Sequence, residues 1–201
     1  MKIPLETQRS FYLTLISMIQ SLAFGYLLTT ISVKDLLTPT YALQVLGTFL
    51  VILMVWHEYA VGTMLFMWLI DFWDSLIPFL FGVVQFSLIS SLKLQGSPNM
   101  WFFSLAACAA LSFWSLENQF VKSSAYAENQ DALLALGRSR LGSVIYVLVS
   151  CGVFVAEGMW SRSAPRNESL LLGLAAASTI ILIVFAVRGI YLYPRVMRKL
   201  M

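Results

Sequence analysis

The sequence predicts an all-α fold, a polytopic transmembrane helical bundle of six spans with both termini in the cytoplasm. Three observations carry that expectation. The chain is 59% hydrophobic and only 11% charged over 201 residues. Its mean hydropathy is +0.80, far from the composition of a soluble domain. Its apolar runs are long enough to cross ~30 Å of hydrocarbon, which takes about 20 residues. These runs consume nearly the whole chain, which therefore forms a single transmembrane domain over residues 1–201, with no room for a soluble catalytic domain.

The first run, residues 10–32, begins after Lys2 and Arg9. It exceeds the roughly 7 to 15 residues of a signal-peptide core, and no small-x-small cleavage pattern follows, so it is expected to remain as a membrane anchor. The second, residues 41–56, closes on His57 and Glu58. The third, residues 60–92, would reach ~50 Å as one helix at 1.5 Å per residue. It must be tilted, kinked at Pro78, or split into an interfacial piece and a shorter span. Residues 101–116, 141–159 and 170–193 complete the set. Turn formers mark the connections at Asp35 to Pro39, at Gly96-Ser97-Pro98-Asn99 and at Ser161 to Asn167. The longest connection, 117–140, is expected as a cytoplasmic loop with a short surface helix over 124–136.

Six spans place Lys2, Arg9, Lys122, Arg138, Arg140, Arg188, Arg195, Arg198 and Lys199 on or near one side, against Lys34, Lys93, Arg162 and Arg166 on the other. The excess of basic residues marks the first side as cytoplasmic, and the inner membrane of a bacterium is the expected location. The net charge of +3 is spread along the chain, which gives no support to nucleic-acid binding. Cys108 and Cys151 lie inside predicted spans without metal-ligand spacing and are read as small packing residues. His57 stands alone, so no metal site is expected. No Gly-rich phosphate loop, His-Glu-x-x-His or Gly-x-Ser-x-Gly occurs. Neither a catalytic residue nor a cofactor is assigned, and the chain is not expected to be an enzyme.

Ser10, Thr14, Ser17, Ser21 and Gly25 recur at spacings of three and four along the first span, one narrow face with Gln20 at its edge. Small and hydroxylated residues are the usual material of helix contacts in lipid, and the same stripe would line a wet path where identical helices meet around an axis. In the third stretch Asp71, Asp74, Ser75, Pro78, Gly82 and Gln85 share a face. If the span begins near Ser75, Asp74 is a helix cap and Trp68 and Trp73 are interfacial anchors. If it begins near Tyr59, the carboxylates lie in the membrane and need water, a cation or a basic partner. Glu157 is placed to pair with Arg162. The pairs Gly173 and Ala177, Gly152 and Ala156, and Ser104 and Cys108 suggest close helix packing, within or between subunits. Lys122, Arg138, Arg140, Arg195, Arg198 and Lys199 are candidates for contact with lipid headgroups or with a protein partner.

The order of spans, Arg9 followed by Leu13-Thr14-Leu15, Trp56-His57-Glu58 closing the second run, and the Ser75 to Phe79 stretch resemble the six-helix endolysosomal-type potassium channels of bacteria and lysosomes. The family opens its first helix with Arg-x-x-x-Phe-Ser-Asp. This chain keeps the arginine and a hydroxyl at Thr14 and lacks the aspartate. The resemblance covers the first half of the chain and implies cytoplasmic termini and a pore lined by the first helix. The expectation is a homo-oligomeric, cation-conducting membrane protein. Thr14, Ser17, Gln20, Ser21, Asp71, Asp74 and Gln85 would then lie along or near the path. The alternative is a membrane-anchored sensor or scaffold whose 117–140 segment and basic tail dock a cytoplasmic protein, for example in a stress or defence system.

Overall fold

The structure, a computed structural model, describes residues 5–66, 70–93, 98–164 and 167–200, with side chains described throughout except at 5, 6, 138, 139 and 193–200. Six helices run in sequence: α1 (Leu5–Thr30), α2 (Pro39–Leu65), α3 (Phe72–Ser91), α4 (Asn99–Ser123), α5 (Gln130–Ser163) and α6 (Glu168–Leu200), with single 3-10 turns at Asp35–Leu37 and Ala127–Asn129. All six are long and apolar enough to cross a membrane. The chain is a multi-pass helical membrane protein, and no strand occurs among the described residues.

Local chemistry sets the helix ends. Pro39 occupies the first turn of α2, where its missing N–H costs nothing. The helix does not stop at His57 and Glu58: it runs on through Val61 and Met64 to Leu65, and Phe66 is extended. The 60–92 stretch is therefore divided, its first residues forming the end of α2. The second helix of that stretch starts at Phe72 because Asp71 caps it. The Asp71 side chain accepts from the Asp74 N–H at 3.0 Å, and the Asp74 side chain accepts from the Asp71 N–H at 3.0 Å, a reciprocal capping box. Pro78 sits inside α3 and is buried. Most of the 117–140 segment, expected as a loop, is helical. α4 extends to Ser123 and α5 starts at Gln130, so residues 130–139 are an extension of the fifth span and not a separate surface helix. At 34 and 33 residues, α5 and α6 each reach about 50 Å and overrun the hydrocarbon at the end where α1 begins.

Neighbouring helices close a ring in the order α1, α3, α4, α5, α6, α2, with α2 also touching α3 and α4 across it. α1 buries Tyr12, Ile16, Ile19, Ala23 and Leu27, and α3 buries Ile77, Phe81, Leu88 and Ile89, each set at helical spacing. Trp101 and Phe102, both almost fully buried, wedge between α2 and the rest of the ring. The Trp101 ring faces Gly47, where a Cβ would come within 2.9 Å of it, and its Nε1 donates to Thr48 Oγ1 at 3.0 Å. The outer surface carries Phe11, Met18, Leu22, Leu53, Phe79, Val83, Ile145, Val149, Ile180 and Val184. Such a belt suits lipid and not water.

Candidate functional site

Most of the chemistry lies at the end of the ring where α1 and α3 begin and α2 and α4 finish. The cap that starts α3 places two carboxylates one turn apart, and α4 delivers Lys122 between them. Lys122 Nζ is 2.7 Å from Asp71 Oδ2 and 3.0 Å from Asp74 Oδ1. Asn118, one turn before Lys122, donates through Nδ2 to Asp74 Oδ1 at 3.0 Å. Asp74 is 1% exposed, so its charge is held by the protein and not by water. Asp71 lies at the rim. Desolvation would raise its carboxyl, but the Lys122 ammonium and the backbone N–H groups of Asp74 and Trp73 outweigh it and hold the group below the usual carboxylate range. Neither sequence alternative holds as stated: the cap is Asp71 and not Asp74, which stands at the third position of the helix, and both carboxylates have a basic partner in Lys122.

Beneath this clamp lies a hydroxyl cluster. Tyr12 of α1 hydrogen-bonds Tyr59 of α2, and Ser115 of α4 donates to the Tyr59 hydroxyl at 3.1 Å. Arg9 donates to the backbone carbonyl of Thr63, which ties the start of α1 to the end of α2. Asn118, Tyr12 and Tyr59 were not singled out from the sequence. Asn118 carries a signal in retrospect, since it stands four residues before Lys122 on the same face of α4.

The other candidates separate. Thr14 and Ser21 are exposed on the outside of α1, and each returns its hydroxyl to its own helix, at Ser10 O (2.8 Å) and Ser17 O (2.7 Å). Ser17 accepts from Trp56 Nε1 at 3.4 Å. Gln20 does not share that outward face. It is buried, and its Oε1 accepts from Gln85 Nε2 of α3 at 2.9 Å, so both amides belong to the interior of one chain. Glu157 is also buried, and its partner is not Arg162, which is exposed, but Ser178 of α6, which donates to Oε2 at 2.5 Å. Arg140 pairs with Glu117 at 2.5 Å and lies 3.6 Å over the Phe120 ring. The side chains of Arg138, Arg195, Arg198 and Lys199 lie outside the described residues. Among the described residues no group of three His, Cys, Asp or Glu is placed to hold a metal.

Where α2 and α4 diverge below the Trp101 wedge, a cavity of about 90 Å³ remains among α2, α4, α5 and α6. Its walls include Val51, Val55, Leu105, Ala109, Phe154 and Leu182, and its polar rim includes Glu58 and Gln119. A second crevice, between the same rim and Arg140, continues from it toward the end of the ring. Left empty, a void of 90 Å³ costs about 2 kcal/mol at ~24 cal/mol per Å³. No continuous polar path crosses the ring among the described residues, because Trp101, Phe102, Leu88 and Ile89 fill its far half. No protein-family model, curated protein or solved structure matches the chain.

Proposed function

We propose that the protein works as a homo-oligomer in a cell membrane, with α1 of each copy at the common axis, and passes cations along that axis. The observation that carries this is the outer face of α1. Ser10, Thr14, Ser21 and Gly25 are exposed, and among the described residues no neighbouring helix lies within 4 Å of where a Cβ on Gly25 would stand. The larger residues Tyr12, Ile16 and Leu27 turn inward. Beside the exposed Phe11, Met18, Leu22 and Leu28, these small residues form an outward stripe at helical spacing, and such a stripe lets another helix approach closely. The filled ring of one subunit leaves the subunit axis as the place for a path. Asp71, half-exposed at the end of the ring, offers a carboxylate that would draw cations toward such an axis. Gln20 and Gln85 stand behind α1 as its support.

A docking scaffold has less support, because Lys122 and Arg140 spend their charge on Asp71, Asp74 and Glu117 of the same chain. The test replaces Cys108 and Cys151, introduces Ser21→Cys, and reconstitutes the purified protein in liposomes. The expected result is a cation flux from the protein alone, disulfide crosslinking between copies at position 21, and block of the flux by a soluble thiol reagent. Absence of both flux and crosslink overturns the proposal. A copurifying protein lost when residues 117–140 are altered would favour the scaffold.

A further inference from the structure

The cavity among α2, α4, α5 and α6 takes no part in the axis proposed for α1, and its chemistry is of another kind. Five hydroxyls stand in its wall and all are engaged by the protein: Tyr59 bonds Tyr12 and accepts from Ser115, and the other four donate to protein atoms. Ser112 donates to Cys108 O (2.8 Å), Ser150 to Tyr146 O (2.8 Å), Ser115 to Tyr59 (3.1 Å) and Tyr146 to Ile181 O (2.5 Å). What faces the void is therefore methyl, methylene and ring. A buried water needs two to four polar partners, and this wall does not offer them, so the occupant that suits it is hydrocarbon.

The cavity is blind at its inner end. Its deepest residues on α2 and α4, Val51 and Leu105, stand one turn from Gly47 and Trp101, where the two helices close on each other. From Leu105 to Gln119 the α4 wall is about 21 Å long at 1.5 Å per residue, the reach of a single extended chain. At the rim the character changes. Gln119 lines both the cavity and the crevice beyond it. Opposite it α2 carries Gly62, where a Cβ would come 2.9 Å from Gln119 Oε1, so the glycine leaves room for the amide. No hydrogen bond holds the Gln119 amide among the described residues, and it offers both a donor and an acceptor without charge. The nearest cation of the crevice, Arg140, is neutralised by Glu117 at 2.5 Å.

We propose that this cavity is a binding site for a single-chain amphiphile with an uncharged, hydrogen-bonding head. The apolar chain lies between α4 and the α2, α5 and α6 walls, and the head, a hydroxyl or carbonyl group, bonds the Gln119 amide. An anionic head finds no unpaired cation at Arg140, and a two-chain phospholipid exceeds the space.

The test uses the full chain in phosphatidylcholine nanodiscs and a monoacylglycerol carrying a diazirine halfway along its chain. Labelling is expected to saturate, to map to wall residues such as Ala109 and Phe154, and to be displaced by unlabelled monoacylglycerol or a long-chain alcohol. Filling the cavity with Ala109→Phe should abolish labelling while the thermal transition stays the same or rises. Gln119→Ala, at the rim, should weaken displacement by the alcohol about fivefold, the worth of one hydrogen bond. If Ala109→Phe fails to fold, Ser150→Leu and Gln119→Ala decide the matter. Adducts spread over the lipid-facing Val149 and Ile180, or labelling unchanged in a folded filled variant, overturn the site. A fatty acid of equal length that competes equally well overturns the assignment of the head.

Discussion

Lys122 shows how one side chain settles what two carboxylates do. Asp71 and Asp74 share a face by spacing alone, so their juxtaposition was legible in the sequence, but their depth was not. Depth depended on where the α3 cap falls, and the cap formed at Asp71, one turn before the alternative at Asp74. Removing the lysine leaves a buried carboxylate beside another, a loss of about 3 kcal/mol. Lys122→Met should lower the melting temperature in detergent, and Asp74→Asn in the same chain should recover part of it. A pH series tests the pair independently. A carboxyl held below its unfolded value of about 3.9 contributes stability that is full above that value and lost as pH falls through the lower, folded one. The wild-type melting temperature should therefore stay level above about pH 5 and drop in more acidic buffer. In Asp71→Asn the part of that drop owed to Asp71 should disappear.

At the scale of the helix, the spans were readable because hydrocarbon demands long apolar runs, and six of them are present. The errors fell where polar residues sit within a run. His57 and Glu58 suggested an end to the second span, yet a helix tolerates two polar groups at a crevice rim, and α2 continued for two more turns. The small-x-x-x-small pairs divide: Ser104 and Cys108 are buried against neighbouring helices, whereas Gly152 with Ala156 and Gly173 with Ala177 face out of the bundle. Gly152 and Gly173 have nothing within 4 Å of a Cβ position, while Gly47 and Gly158 lie under Trp101 and Phe103. Spacing finds a face of small residues, but only the partner helix tells which face is used. Gly47→Leu should displace the Trp101 wedge and cost about 2 kcal/mol by overpacking, with a lower melting temperature in detergent. Trp101→Phe in the same chain should recover much of it, since the smaller ring vacates the space.

For the molecule as a whole, the ring order α1, α3, α4, α5, α6, α2 was not legible, because periodicity marks a buried face without naming its neighbour. The basic residues and the even span number predict that both described ends face the cytoplasm. Single cysteines at the exposed positions Lys34 and Arg162, in a chain without Cys108 and Cys151, should react with an impermeant thiol reagent from outside the cell. A cysteine at Leu134, on the extension of α5, should react only after the membrane is opened. The opposite pattern would invert the topology and place Asp71 at the outer mouth.

The Glu157 to Ser178 bond has a consequence for biosynthesis. The glutamate is made 21 residues before the hydroxyl that donates to it. When α5 first emerges from the translocon, it carries a polar side chain with no mate, an arrangement lipid opposes. α6, the most apolar of the six spans, brings Ser178 against it. α5 and α6 are therefore expected to insert together as a hairpin, and a nascent chain stopped between them should remain at the translocon.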